Sequence, residues 1–372
     1  MGNFINALDE RISLIATPDT WLEGAAIEQL KKTATLDGVQ YAAGMPDLHP
    51  GSGYPIGAVF FTDNMVYPTL IGNDVGCGMG LWQTDMKVRK FKADKAQRQI
   101  GNIDVPLNQE ERQTLLDGST APGTVGGGNH FVELQKIDMI YDEQQANALG
   151  LNRKRLQLLV HSGSRGMGEQ IMRAHTDRFH HSGLSVGSLE HQEYMVRHDA
   201  ALDYAKQNRE LIALRMMAQL RCRGERVIDL FHNALSFGKA FGQDGWLHRK
   251  GAAPSDRGAV VIPGSRGDYS YVVSPIETDA NDKALYSLAH GAGRKWMRAD
   301  CKGRLERFSA EQLRRSSFGS RLICEQNETV YEEAPQAYKP IEDIITALEG
   351  AGLVRRIARL QPVLTYKARR SN

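Results

Sequence analysis

Apolar, β-branched residues in this chain gather in short runs bounded by glycine-rich polar turns. Ala58–Thr62, Leu158–Val160, Ala259–Ile262 and Tyr271–Val273 read as strands. Several apolar runs pass straight into such turns: Ile71-Gly72-Asn73-Asp74, Val160-His161-Ser162-Gly163 and Ile262-Pro263-Gly264-Ser265. The period changes between Ala200 and Leu220, where Leu202, Ala205, Leu211, Leu214, Met217 and Leu220 fall near helical spacing. Pro340–Leu348 predicts a shorter helix, with proline near its start and Gly350 beyond its end. No internal repeat, low-complexity segment or Pro/Ser-rich linker interrupts the pattern. These elements predict one α+β domain over residues 1–372, with a large central sheet. Strand-end loops rich in Gly, His and Asp are where such folds place ligands.

Composition adds exclusions. Hydrophobic residues at 41% and charged residues at 24% exclude a disordered, collagen-like or coiled-coil chain. No apolar run is long enough to span a membrane. The stretch from Met1 to Arg11 has no apolar signal-peptide segment. The four cysteines, Cys77, Cys222, Cys301 and Cys324, form no CxxC pair, which argues against a disulfide framework and a zinc ribbon. A reducing compartment, the cytoplasm, is therefore expected. Net charge is only +2, but it is unevenly spread. Basic residues crowd Arg294–Arg321 and Arg355–Arg370, with the acidic stretch Glu325–Asp343 between them. Basic stretches of this kind can track a phosphate backbone, or can be solvated surface.

Histidine carries the candidate chemistry. Four of the eleven, His130, His161, His232 and His290, sit in glycine-rich or strand-end contexts. Asp74 and Cys77 lie three residues apart in the turn Asn73-Asp74-Val75-Gly76-Cys77-Gly78. Asp, Cys and three His form a plausible divalent-metal set, since imidazole and thiolate suit transition metals and an added carboxylate admits manganese. Five ligands exceed one tetrahedral zinc but suit two ions with a shared ligand. Spacing alone does not group these histidines. His175, His180, His181, His191 and His198 fall in a polar helix-forming stretch and are expected to be exposed. Cys222, Cys301 and Cys324 are expected to pack or lie at the surface.

Seven motifs in order group them. They are Asp47-Leu48-His49-Pro50-Gly51-Ser52-Gly53-Tyr54-Pro55-Ile56-Gly57 with Asp74-Val75-Gly76-Cys77-Gly78; Gly128-Asn129-His130-Phe131-Val132-Glu133; His161-Ser162-Gly163-Ser164-Arg165-Gly166; His248-Arg249-Lys250-Gly251-Ala252; Pro263-Gly264-Ser265; and His290-Gly291-Ala292-Gly293-Arg294. Together they resemble the RtcB family of RNA ligases from about residue 40 to the C-terminus. The resemblance implies an RtcB-like domain with central β-sheets and a metal and nucleotide site in glycine-rich loops. It implies joining of RNA 3′-phosphate or 2′,3′-cyclic phosphate ends to 5′-hydroxyl ends, with GTP and two Mn2+ ions. The metal ligands would be Asp74, Cys77, His130, His161 and His232, with Cys77 shared. His290 would be the guanylylated nucleophile. Guanylate contacts would fall on Asn129, Glu133, His232, Asn233, the Pro263-Gly264-Ser265-Arg266 turn, Ser270, the His290-Gly291-Ala292-Gly293 loop and Lys367.

Arg165 and Arg294 are expected to hold phosphate. Asp47 either accepts the 5′-hydroxyl proton or pins its turn. The chain departs from the family pattern at Ser162, at Arg266 and in the tail stretch Tyr366-Lys367-Ala368-Arg369-Arg370. It is also shorter between His248 and Pro263, like a bacterial branch found beside a release-factor-like protein. That likeness implies repair of cleaved tRNA or ribosomal RNA, with the release-factor-like protein as a partner. Two alternatives stay open: a metal-dependent hydrolase of cyclic phosphate ends, and a non-catalytic RNA-end or nucleotide-binding metalloprotein.

Overall fold

Fourteen strands in two sheets carry the architecture, an α+β arrangement in a computed structural model that describes residues 4–368. The six-stranded sheet runs Ile5–Ala7, Ile12–Ile15, Val39–His49, Ile56–Thr62, Gln243–Lys250, Asn233–Ala240. All its neighbours are antiparallel except Ile12–Ile15, which lies parallel to Val39–His49. The eight-stranded sheet runs Gly224–Phe231, Gly78–Lys87, Arg155–Ser162, Phe131–Ile140, Val354–Ala368, Ser270–Pro275, Val260–Pro263. Arg321–Cys324 adds to it in parallel against Val354–Ala368.

The period of two explains how the larger sheet covers both faces. Trp82, Leu158 and Val160 pack on one side, against Ile212, Ala213, Met216, Met217 and Leu220 of the helix Leu189–Leu220. Leu81 and Leu159 point the other way, into a cluster with Ile228, Val261 and Val272. A third cluster joins the sheets: Ala43, Met45, Val59 and Phe61 of the smaller one meet Ile262, Tyr271 and Val273 of the larger one. The helix Ile341–Gly350 seals it with Ile341, Ile344, Ile345 and Leu348. Each fully buried Leu or Ile there is worth about 1.5–3 kcal/mol of transfer free energy.

One residue marks the crossing between sheets. Phe231 still pairs with Gly78 of the larger sheet, whereas Asn233 already pairs with Lys250 of the smaller one. His232, between them, is the point where the chain changes sheets. The turn carrying Cys77 lies beside it, since the His232 N–H donates to the Cys77 carbonyl at 2.9 Å.

The four expected strands are present, at Ile56–Thr62, Arg155–Ser162, Val260–Pro263 and Ser270–Pro275. The expected helix at Ala200–Leu220 begins earlier, at Leu189, where the Ser188 hydroxyl caps it by accepting from the His191 N–H at 3.1 Å. Its first turns bury polar residues, so the expected exposure of the nearby histidines fails at three positions. His175, His191 and His198 are buried, while His180 and His181 are exposed as expected. His198 is buried because it is paired: its Nε2 accepts from the Leu235 N–H at 3.0 Å. Cys301 and Cys324 are buried and Cys222 half-buried, all as free thiols. Among the described residues no helix is long and apolar enough to cross a membrane.

Candidate active site

Strand ends bring the five proposed metal ligands together. His161 closes the strand Arg155–Ser162, and Gly78 and Phe131 open its two neighbours in register with Ser162 and His161. Cys77 and His130 therefore arrive on either side of it. Cys77 Sγ lies 3.1 Å from His161 Nε2 and 3.3 Å from His130 Nε2. His130 Nε2 lies 2.8 Å from Asp74 Oδ2, and His161 Nε2 lies 3.3 Å from His232 Nε2. Gly163 is required by this closeness: a Cβ there would sit 2.1 Å from Asp74 Oδ1.

The donor chemistry fits a cation. His161 Nδ1 lies 3.1 Å from the Asn129 carbonyl, to which it donates, so its Nε2 presents a lone pair to Cys77 and His232. Burial and the neighbouring imidazoles hold His161 and His232 well below the ordinary histidine range. Burial and the Asp74 carboxylate push the Cys77 thiol well up. Burial would raise Asp74 as well, but the bond and charge of His130, the Cys77 bond and the Arg165 charge together outweigh it and the net shift is down. These directions describe lone pairs packed together without a positive charge, and a divalent ion would favour the thiolate and the neutral imidazoles. Among the described residues, Cys77, His130 and His161 form the one group of three that keeps its ligand atoms within 4.8 Å of one another.

The long helix buttresses this site. Arg209, wholly buried, pairs with Asp229 at 2.6 Å and donates to the carbonyls of Gly76 at 2.9 Å and Ser162 at 3.1 Å. The sequence reading missed it. The available signal was an arginine within the stripe Ala205, Arg209, Ile212, Met216, where only an internal role keeps a guanidinium buried.

His290 stands next to the cluster, its ring centroid 4.8 Å from that of His232. Asp47 Oδ2 lies 2.7 Å from His290 Nδ1 and 3.2 Å from the His290 backbone N–H. The other Asp47 oxygen is buried without a partner. An ionised carboxylate only accepts, so Nδ1 carries the proton and Nε2 keeps its lone pair. Asp47 thus holds the His290 ring and its loop in place. Gly293 lets the loop come this near: at φ +70°, a Cβ would meet the Asp47 carbonyl oxygen at 2.3 Å. Lys339, also missed in the sequence, staples the two halves. Its Nζ donates to the carbonyls of Pro46 at 3.0 Å and Leu48 at 2.8 Å, and its N–H donates to the Gly293 carbonyl at 3.1 Å.

A cavity with about 910 Å³ of empty space opens beside His290. Its walls include Asn129, Glu133, Pro263, Gly264, Ser265, Arg266, His290, Gly291, Ala292, Gly293 and Lys367, most of the expected guanylate contacts. Ser270 sits one layer behind, where its hydroxyl accepts from Gln135, which also donates to Glu133. His232 and Asn233 do not line it. Asn233 is occupied between loops, donating to the Asp74 carbonyl and accepting from the Gly251 N–H. Burial pushes Glu133 up to about 7, against its bonds from Thr365 and Gln135.

Three basic residues do something other than expected. All three Lys367 protons are taken, by the carbonyls of Gly128 and His130 and by Glu333. A guanine contact there requires displacing one of them. Arg266 turns away from the turn it belongs to and donates to the carbonyls of Leu313, Val330 and Glu333. Arg294, expected to clamp phosphate, is spent on Glu333, Tyr338 and the carbonyls of Glu332 and Trp296. Arg165 does stay at the cluster, with Nη1 3.3 Å from His130 Nδ1.

Glu333 organises that side of the cavity and was not read from the sequence. It is 2% exposed and accepts from Arg294 at 3.2 Å, Arg298 at 3.1 Å, Lys367 at 2.9 Å and the Tyr338 hydroxyl at 2.5 Å. The signal was the acidic stretch between two basic ones, which here neutralise one another. Arg314 and Arg321 pair likewise with Glu311 and Asp94, and Arg356 and Arg359 with Glu349 and Asp138. The expected phosphate-gripping stretches are therefore partly ion-paired, at Arg294, Arg298, Arg314 and Arg321 in the first and at Arg356, Arg359 and Lys367 in the second. Arg369 and Arg370 lie outside the described residues.

Known proteins share this sequence throughout. The family model for "tRNA-splicing ligase RtcB" matches residues 29–115 and 95–368. An RNA-splicing ligase RtcB2 of Escherichia coli is 50% identical over 375 residues, spanning 99% of this chain and 98% of that protein. A tRNA-splicing ligase RtcB of Archaeoglobus fulgidus is 28% identical, over 92% of this chain and 91% of its own length. An RNA-splicing ligase RtcB of Mycobacterium tuberculosis is 28% identical, over 90% of this chain and 99% of its own.

Proposed function

Because the chain belongs to the RtcB family, we propose that it is an RNA ligase that joins 3′-phosphate or 2′,3′-cyclic phosphate ends to 5′-hydroxyl ends, using GTP, two Mn2+ ions and a guanylylated His290. The observation that carries the reading is the Asp47–His290 pair, set between the Asp74/Cys77/His130/His161/His232 cluster and a nucleotide-sized cavity.

A 3′-phosphate is a poor electrophile until it carries a leaving group. His290 Nε2 attacks the α-phosphorus of GTP and pyrophosphate departs, which splits one hard step into easier ones. Asp47 holds the Nδ1 proton and stabilises the positive charge that develops on the ring. Water first cleaves the P–O2′ bond of a cyclic end, and an oxygen of the RNA 3′-phosphate then takes the guanylate from His290. The 5′-hydroxyl attacks that activated phosphate, and GMP leaves. Arg165 faces the cluster, where it offers a cation to the phosphoryl oxygens. Glu133, able to accept from the base edge, selects guanine from within the cavity. When bound, the divalent ions supply positive charge for the phosphoryl oxygens and orient attacking and leaving groups. Cys77, in reach of both His130 and His161, would be the ligand shared by the ions.

The shared core of the two sheets supports a single ligase domain over 1–372. Its free cysteines suit the cytoplasm, and cleaved tRNA or ribosomal RNA would be the substrate. The test is incubation with α-labelled GTP and manganese. The expected label is covalent, alkali-stable and acid-labile, absent in His290→Ala and kept in His248→Ala. His248 is remote in role, since its Nε2 accepts from the Tyr67 N–H at 2.9 Å. Label persisting in His290→Ala would move the nucleophile elsewhere. Opened cyclic ends with no label and no joined product would favour the hydrolase.

A further inference from the structure

Near the loops that hold His290 lies an aromatic pair that the mechanism above does not use. Tyr54 and His181 come from segments far apart in sequence. Their rings lie 6.0 Å apart at an interplanar angle of 57°, and the Tyr54 hydroxyl is 3.4 Å from His181 Nδ1. Tyr54 is half-buried, with its ring partly packed on the core under the smaller sheet, and His181 is exposed. His181 stands just beyond the helix Gly166–Phe179, which the chain leaves through His180 at φ 55°.

Two adjacent residues connect this pair to the reacting centre. Lys250 Nζ lies 5.7 Å from the Tyr54 ring centroid and 3.5 Å from the Tyr54 carbonyl oxygen. The Lys250 stem packs on Gly72, where a Cβ would meet its Cε at 3.3 Å, and Gly72 opens the turn Asn73-Asp74. The next residue, Gly251, touches the nucleophile: a Cβ there would lie 3.0 Å from His290 Cε1 and 2.6 Å from Ile56. Tyr54 is thus two residues from Ile56, which lines the cavity, and one side chain from the Asp74 turn. Burial alone lowers Lys250 to about 8, with no carboxylate acting on it.

Two π-faces beside an ammonium without a carboxylate match a nucleobase and its phosphate. Bases splayed from a strand end are held by stacking on Tyr and His, and stacking tolerates any sequence because every base has a face. A ligase that seals breaks in many contexts needs that tolerance. We propose that Tyr54 and His181, which touch at a tilt, form a one-sided stacking clamp on whose outer face the terminal nucleobase of one of the two RNA ends lies, with Lys250 beside them for the adjoining phosphate. The proposal rests on the RNA-ligase reading. It adds to it a base-holding subsite outside the guanylate cavity, whose walls include neither ring.

The experiment reads two steps separately. Labelling of His290 by GTP needs no RNA, whereas joining does. Wild type, Tyr54→Ala, Tyr54→Phe and His181→Ala are compared at limiting concentrations of 3′-phosphate and 5′-hydroxyl RNA. Tyr54→Ala is expected to raise the RNA concentration for half-maximal joining about tenfold, and His181→Ala severalfold. Tyr54→Phe should stay near wild type, and all four should label alike. An abasic nucleotide at one end should cost wild type the same tenfold and cost Tyr54→Ala nothing more. The abasic arm that shows this names the end that is clamped. His181→Ala keeps the test open should Tyr54→Ala fold poorly. Joining by both alanine variants at wild-type RNA concentrations would overturn the clamp. So would abasic ends that harm Tyr54→Ala as much as wild type. Failure of wild type to label or join would instead count against the ligase reading itself.

Discussion

Asp47→Asn should slow labelling of His290 by GTP about 10²–10⁴-fold, by analogy with acid-to-amide changes behind other catalytic histidines. The size follows from the tautomer. Asp47 Oδ2 accepts from both Nδ1 and the backbone N–H of His290, at 2.7 and 3.2 Å. An asparagine can place its NH2 against Nδ1, which then accepts, and the ring proton moves to Nε2. The attacking lone pair is lost although the shape is unchanged. Asp47 does not line the guanylate cavity, so GTP affinity should hold, and it is not a metal ligand, so bound metal should hold as well. Single-turnover labelling at saturating GTP, with metal content measured in parallel, checks this. A rate within threefold of wild type would show that Asp47 does not set the tautomer.

Glu333→Gln should cost about 3–5 kcal/mol of stability, the usual loss when one member of a buried ionic network is removed. Lys367, Arg294 and Arg298 would keep their charges at the cavity wall and lose the carboxylate they share. The pH dependence has a definite sign. Burial alone would raise Glu333, but the three cations and the Tyr338 hydroxyl hold it at about 2, below its ordinary 4.5. A depressed carboxyl contributes stability that is complete above its unfolded pKa and is lost as pH falls through the folded one. The gap between wild type and Glu333→Gln in urea unfolding should therefore be widest near neutrality. It should begin to close below about pH 4.5 and shrink toward pH 2. A gap that stays constant from pH 6 to pH 3 would mean that Glu333 is not ionised in the network.

Local pattern accounts for what the sequence made legible. The runs around Ala58, Leu158, Val260 and Val272 became strands because β-branched residues alternate between two buried faces. The apolar half of the long helix was visible, but its first turns were not. There His191, Tyr194 and His198 are buried as paired or stacked polar groups, which periodicity scores as solvent-facing. The proposed ligand set and His290 were legible through motif resemblance, and the folded chain brings them into contact. Lys339 and Glu333 left no such trace. Lys339 acts on residues 46 and 48 across nearly the whole chain, and Glu333 on residues 294, 298 and 367. Charge counted along the chain does not show such pairings: Arg294, Arg314, Arg321, Arg356 and Arg359 meet their acids only in the fold.

Joining of RNA nicks that differ only in their ends tests the central claim most directly. Three substrates suffice: 3′-phosphate with 5′-hydroxyl, cyclic phosphate with 5′-hydroxyl, and 3′-hydroxyl with 5′-phosphate. Each is offered with GTP to chelator-treated protein, before and after manganese is restored. The account predicts joining of the first two only, and only with manganese present. Sealing of the 3′-hydroxyl/5′-phosphate nick, or opening of the cyclic phosphate with no joined product, would contradict it.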